Sequence, residues 1–508
     1  MAAEKIFTNG HIYTLDPAGA TAEAIAVEGE RITAIGRTQD VKAFAGPGAQ
    51  EIDLGGRTVI PGCIDSHCHL MMHGVACTRS ASLTDCRSIA ELQNRLRDHR
   101  AKNPGAAWVI GERFDQEMFS DRRWVTRADL DQVSADVPIL AARLCYHAIV
   151  ANSAALAPVR DRLTKEQWET GRLTEGDCGL VWGQVPDCTD DELEKSALHA
   201  LTEARNAGLT SVHTQVDDDA ELAVMRRLRD EGRLPVRVRF QWPFGLMDRI
   251  VAEGMKTGSG DDYLRVGSIK IFMDGSMGAR TCAMCEEFAD DPGNRGNLFR
   301  TGRELAEMLV EIQRNDCQAA IHAIGDRAIM EAISGIEIAM PKGNDGNRLR
   351  HRLEHVAQMS PKIISDMARL NIVASVQPQF VITDFWTHER VGQKRYRCAY
   401  PFKSMLRAGI KFGMGSDCPV ERLDTMELVH RAVNREPKSL HECLTVDETL
   451  RGYTNGSAYI GFEEPDKGSL EVGKLADFVI LSEDPYGIEP RQLGRIRPQN
   501  TVLGGRMQ

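Results

Sequence analysis

Short runs in which apolar and polar residues alternate open the chain, at Ile6-Phe7-Thr8, Gly10 to Thr14, Ala24 to Val27, Arg31 to Ile35 and Thr58 to Ile60. A period of two over such short stretches, punctuated by turn residues, predicts β-strands. The same texture returns at Ala476 to Leu481, after the turn-rich segment Gly468 to Lys474. Residues 1–60 and 461–508 are therefore expected to form one small β domain from both chain ends.

Between them, short apolar runs alternate with longer amphipathic segments, the pattern of repeated βα units. Eight strands are expected, at Val59 to Asp65, Thr210 to His213, Val236 to Gln241, Val266 to Met273, Ala319 to His322, Arg350 to His355, Ile372 to Gln377 and Lys411 to Asp417. The first two are separated by about 140 residues, far more than a helix and its loops require. An insertion over residues 78–186 is thus expected within a barrel domain of residues 61–460. It carries a predicted helix from Ile89 to Arg100 and strand-like runs at Trp108-Val109-Ile110 and Val137 to Ala142, and is expected to cap the barrel mouth.

Candidate chemistry gathers at the ends of these strands. In Asp65-Ser66-His67-Cys68-His69, alternation along an extended chain turns His67 and His69 the same way. Two adjacent imidazoles suit a zinc-type ion. His322 and His355 close later apolar runs, and Asp417 follows the glycines of Gly413-Met414-Gly415-Ser416. The C-terminal strand ends of a barrel converge on its active site, so these five residues point to a metal centre rather than to satisfied core groups. Lys270 lies within the apolar strand Val266 to Met273, where a free ammonium is costly. It is either paired, for instance with Asp274, or a lowered-pKa amine that reacts with CO₂ to give a carbamate.

Composition narrows the class. The 508 residues are 42% hydrophobic and 27% charged, as in ordinary globular chains. The net charge of −11, with one brief basic cluster at Lys394-Arg395-Tyr396-Arg397, argues against nucleic acid. No signal-peptide core and no membrane-length apolar stretch is visible, which predicts a cytoplasmic protein without a membrane partner. Thirteen cysteines without framework spacing fit reduced thiols, and Cys282-x-x-Cys285 reads as small hydrophobes.

These motifs together resemble the amidohydrolase superfamily over nearly the whole chain, within the amidohydrolase-3 branch that contains N-substituted formamide deformylases. The resemblance rests on Val59-Ile60-Pro61-Gly62 leading to His67-x-His69, on Lys270-Ile271-Phe272-Met273-Asp274-Gly275 and on His322-Ala323-Ile324-Gly325-Asp326. It rests also on Arg352-Leu353-Glu354-His355, Gly415-Ser416-Asp417 and Gly468-x-Leu470-x-x-Gly473-x-x-Ala476-Asp477. It implies an α/β fold, a distorted (β/α)₈ TIM barrel with a small β-sandwich built from both ends. It also implies two divalent ions, zinc by family habit. His67 and His69 would hold the more buried ion, a carboxylated Lys270 would bridge, His322 and His355 would hold the second, and Asp417 would complete the site. The chain departs from the branch at Gly111-Glu112-Arg113-Phe114-Asp115-Gln116, where relatives carry a Gly-Trp-type segment.

The expected reaction is hydrolysis of an amide, N-formyl or cyclic amide C–N bond in a small molecule by a metal-activated hydroxide. Asp417 is the expected general base, passing its proton to the leaving nitrogen. Deamination, ester hydrolysis, decarboxylation or a non-catalytic regulatory role on the same scaffold are the alternatives. His147, His213, Asp274, Arg280 and Gln377 are expected to meet substrate, with Trp386 as a further lining group. For His147 the alternative is packing of the insertion on the barrel, and for Asp274 and Arg280 a buried ion pair. Asp326 either orients a ligand or caps a helix. A homodimer is expected.

Overall fold

The eight apolar runs pair in chain order into one parallel sheet. Its strands are Cys63–Cys68, Leu209–Gln215, Arg237–Pro243, Leu264–Phe272, Gln318–Ala323, Arg352–His355, Val373–Val376 and Phe412–Met414. The computed structural model describes residues 3–340, 346–435 and 439–507. First and last strands are joined just beyond their ends. The backbone N–H of Asp417 donates to the His67 carbonyl at 2.8 Å, and that of His69 to the Cys418 carbonyl at 2.6 Å. The sheet is thereby curled into a barrel, which removes its edges.

Helices follow the strands and cover the sheet, so the strands are buried on both faces and read as continuous apolar runs. The helix Gly302–Arg314 shows how the sequence specifies such a cover. Thr301 accepts from the Glu304 backbone while the Glu304 carboxylate accepts from that of Thr301, a reciprocal cap worth about 0.5–2 kcal/mol. Leu305, Ala306, Leu309 and Ile312 then recur on one face and are buried.

One expected strand is in fact two. The run Val59 to Asp65 breaks at Gly62: Thr58–Pro61 pairs with His11–Tyr13 and Phe478–Leu481, and only Cys63–Cys68 enters the barrel. The crossover needs glycine, because a Cβ there would stand 2.0 Å from Thr210 Oγ1. Both chain ends meet in this outer layer. A four-stranded sheet (Ala3–Thr8, Ala24–Glu28, Arg31–Gly36, Ala45–Asp53) faces a six-stranded one that includes Phe478–Leu481 and Pro498–Leu503. Ile25, Val27 and Ile32 pack there with Val59, Ile480 and Val502, and Phe7 meets Phe478 edge-to-face at 4.9 Å.

The long segment between the first two barrel strands folds around its own five-stranded sheet, formed by Ala81–Ser82, Val109–Phe114, Ile139–Arg143, Ala148–Ala151 and Arg172–Thr174. Both faces are covered. The helix Ile89–Lys102 contributes Ile89, Leu92 and Leu96 to one apolar cluster, while Leu140, Ile149 and Leu173 belong to another. Side chains from this segment, Asp115, Arg143 and His147, share one cavity with the C-terminal ends of the barrel strands.

Candidate metal centre and active site

Three barrel strands deliver the histidines and a fourth the aspartate. His67 lies within the first strand and His69 one residue past it, so their side chains project to the same side, with ring centres 5.3 Å apart. His322 sits near the end of the fifth strand and His355 ends the sixth, their rings 4.6 Å apart, and His355 is 4.9 Å from His67. Asp417 follows the eighth strand with φ of 58°, a left-handed backbone that brings its carboxylate inward. One of its oxygens lies 3.3 Å from His67 Nε2 and 3.2 Å from His69 Nε2. The ligand atoms of His67, His69 and Asp417 all fall within 4.8 Å of one another.

Each of three histidines has one ring nitrogen committed and the other left as a donor. His67 Nδ1 is 2.5 Å from a Glu354 oxygen, leaving Nε2 toward Asp417. His355 Nδ1 meets Gln377 Oε1 at 2.9 Å, and His322 Nε2 meets the Gly275 carbonyl at 3.0 Å. Such outer contacts fix the tautomer and aim of a metal-binding imidazole. Burial keeps two of the rings in the neutral, ligating form, pushing His355 down to about 3 and His322 well below its usual value. Burial would raise the Asp417 carboxyl, but hydrogen bonds from His67 and His69 hold it well below the ordinary carboxylate range.

Lys270 is buried with its ammonium nitrogen 3.3 Å from His67 Nε2. Burial draws its pKa down to about 8, and the nearby Glu354 and Asp417 carboxylates keep it from falling further. The pairing with Asp274 is not made. Asp274 instead accepts backbone N–H bonds from Ala283, Ile324 and Gly325, at 2.8 to 3.0 Å, and ties the loops after the fourth and fifth strands together.

The other expected substrate residues divide. His147 lines the cavity with His322 and Asp417, its ring 5.4 Å from that of His322. Burial opposes its charge, but a 2.9 Å contact with Glu175 outweighs that and raises it to about 9. Trp386 lines the same cavity. Gln377 gives its Oε1 to His355, while its buried Nε2 makes no hydrogen bond. Arg280 points elsewhere, paired with Asp290 at 2.8 Å beside a separate surface pocket.

His213 does not reach the cavity either. Both of its nitrogens are used, Nδ1 accepting from Arg352 at 3.1 Å and Nε2 meeting Glu463 at 2.9 Å. Asp326 opens the helix Asp326–Ala339, where Gly325 is the N-cap, and its carboxylate accepts from the Cys285 and Arg327 backbones.

Three residues join the site without having been singled out for it. Glu354 grips His67, and its alternation with Arg352 on a buried strand directly before His355 was the available signal. Arg143 from the inserted sheet and Glu421 past the eighth strand both line the cavity. Burial raises Glu421 to about 8, so it presents a protonated carboxyl at neutral pH. Nothing in their local sequence marks these two.

Known proteins share this architecture. The pattern of the amidohydrolase family matches residues 50–507. YtcJ of Bacillus subtilis, named provisionally as an amidohydrolase, is 31% identical over 531 residues, covering 99% of this chain and 98% of its own. The N-substituted formamide deformylase of Arthrobacter pascens is 26% identical, covering 98% of this chain and 96% of its own. The crystal structure of an uncharacterized metal-dependent hydrolase from Pyrococcus furiosus superposes with a TM-score of 0.79 at 29% identity, over 95% of this chain and 99% of that one.

Proposed function

This chain is a hydrolase of the amidohydrolase family, and from that premise we propose that it cleaves an amide-like C–N bond of a small molecule with two zinc-type ions at the barrel mouth. The observation that carries the reading is the shared Asp417 oxygen, 3.3 and 3.2 Å from the Nε2 atoms of His67 and His69. Imidazole nitrogen and carboxylate oxygen are a zinc-type donor set. The Pyrococcus furiosus protein is by name a metal-dependent hydrolase, and the Arthrobacter pascens relative by name removes formyl groups from N-substituted formamides.

His67, His69, His322, His355 and Asp417 would hold the ions. Ions bound there supply Lewis acidity, lowering the pKa of a water toward about 7 and polarising a carbonyl. Lys270 joins the set as a carbamate: its neutral amine adds to CO₂, the N–C bond forms and one proton leaves. Burial, which draws that amine to about 8, favours the neutral form the addition needs.

Asp417 accepts the proton of the attacking water at its carboxylate oxygen and gives it to the nitrogen that leaves. Glu354 and Gln377 keep His67 and His355 aimed while this happens. His147, cationic and beside His322, orients the substrate carbonyl, and Trp386 and Phe380 exclude water from the cavity. The thirteen cysteines, all free, suit a reducing cytoplasm.

Elemental analysis of protein purified without chelator, with native mass of the intact chain, tests the centre. Two ions and a labile CO₂ adduct on Lys270 are expected. Full activity with one ion and an unmodified Lys270 would remove the bridging carbamate. A panel of N-formyl amines, linear amides and cyclic amides, scored by product, tests the bond. Release of an amine supports the reading, whereas turnover of esters alone would replace it.

A further inference from the structure

The helix that follows His69, Leu70–Arg79, packs along the helix Asp190–Asn206. Their approach is close and fixed. A Cβ on Gly74 would stand 2.1 Å from the Ser196 carbonyl oxygen, and Thr78 Oγ1 meets Ser196 Oγ at 2.7 Å. Positions one helical turn apart share a face, so His73 and Cys77 lie together on the first helix and His199 and Glu203 on the second.

The seam brings His73, Cys77 and Glu203 to one point and sets His199 beside Glu203. His73 Nε2 is 2.8 Å and His199 Nε2 3.8 Å from the same oxygen of Glu203, while Cys77 Sγ is 3.8 Å from the His73 ring nitrogens. The ligand atoms of His73, Cys77 and Glu203 lie within 4.8 Å of one another. His73 is buried, whereas Cys77, His199 and Glu203 are exposed, so the cluster has a rigid floor and an open entrance.

We propose that His73, Cys77, His199 and Glu203 form a second metal site, at the surface and separate from the barrel mouth, that takes a zinc-class divalent ion. The donor set is two imidazoles, one thiolate and one carboxylate, which matches a tetrahedral, borderline-soft ion and disfavours calcium or magnesium. Binding is an exchange of protons for metal. The Cys77 thiol loses its proton, His73 gives up the proton shared with Glu203, and the ion takes Sγ, the two Nε2 atoms and Oε2. The ordinary alternative is a surface ion pair of His73 with Glu203 beside an unrelated thiol.

The reactivity of Cys77 separates the two, because no residue of the barrel mouth is probed. Protein carrying its barrel-mouth metal is treated with iodoacetamide, with and without added zinc, and alkylation is followed peptide by peptide. Exposed Cys285 serves as the internal reference. Zinc is expected to slow modification of Cys77 at least about tenfold and to leave Cys285 unchanged. Loss of a mere outer-shell partner already weakens metal binding by about 10–100-fold. His199→Gln and Glu203→Gln, both exposed and free of core packing, should therefore abolish the protection at the same zinc concentration. A cadmium titration should raise thiolate charge-transfer absorption to one equivalent per chain, and Cys77→Ser should remove it. Equal alkylation of Cys77 with and without zinc overturns the site, as does protection that survives both glutamine variants.

Discussion

Two polar clusters are buried in the same barrel, one at its mouth and one beneath it, and they differ in whether the ring nitrogens of their histidines are used up. Beneath the mouth, Glu463 is paired with Lys467 at 3.0 Å and with His213 at 2.9 Å, and His213 accepts in turn from Arg352. Both nitrogens of that histidine are spent. Burial holds it neutral, at about 4. At the mouth, His67, His322 and His355 each commit one nitrogen and present the other to their neighbours. Burial of a histidine at a strand end is therefore uninformative by itself. The count of unspent lone pairs distinguishes a ligand from a structural group.

Arg352 links the two clusters. Its Nε lies 2.7 Å from Glu354, which grips His67, while another of its nitrogens serves His213. The lower cluster is thus a foundation for the upper one, and the comparison can be attacked from either side.

Stripping the metal should have the largest effect, with turnover lost and then regained on adding zinc. The same step should lower thermal stability, since a ligand at about 1,000 times its Kd contributes about 4 kcal/mol. Turnover that persists after exhaustive chelation, with metal content measured at zero, would mean that the mouth histidines are not ligands.

Next comes Asp417→Asn, which keeps the shape of the site and removes its proton acceptor. A fall in kcat of about 10²–10⁴-fold, with circular dichroism unchanged, is expected. Less than a tenfold loss would place the base elsewhere.

Glu354→Gln and Gln377→Ala should act through the metal rather than the proton. About 10–100-fold weaker metal affinity is expected for each, with activity recovered at raised zinc. Failure of added zinc to restore either variant would make these residues parts of the chemistry instead of supports.

Glu463→Gln should change turnover least and act on stability instead. Leaving Lys467 buried without its partner costs about 3–5 kcal/mol. The sign with pH follows from the shift. Burial alone would raise Glu463, but the Lys467 charge and the His213 hydrogen bond hold it well below its ordinary value. Its contribution is accordingly present above the unfolded carboxylate pKa of about 4.3 and is lost as the pH falls toward the lower folded value. Urea titrations at a series of pH values should show wild type and variant furthest apart near neutrality and converging in acid. A constant gap would mean that Glu463 is not the titrating group.

Much of the fold was legible in the chain because barrel strands are short apolar runs in chain order, and neither their pairing nor their direction had to be guessed. The His67-x-His69 pair, His322, His355 and Asp417 were legible for the same reason, since each closes a strand. The substrate residues were not. Asp274 and Arg280 follow Lys270 within ten residues, yet one turns to three backbone N–H groups and the other out to Asp290. Arg143 and Glu421 lie about 280 residues apart and carry no motif, and they line one cavity only because the inserted sheet lies over the strand ends.

Residue type and local period by themselves determined the parallel barrel, the β-rich ends and the strand tips that carry the histidines and the aspartate. Tertiary structure alone decided which nitrogen of each histidine is spent, that His213 is structural and His147 faces the cavity, and that the run through Gly62 serves two sheets. Periodicity reports which face of an element is buried. It does not report what the buried face meets, and hydrogen-bond satisfaction depends on partners brought together from hundreds of residues away.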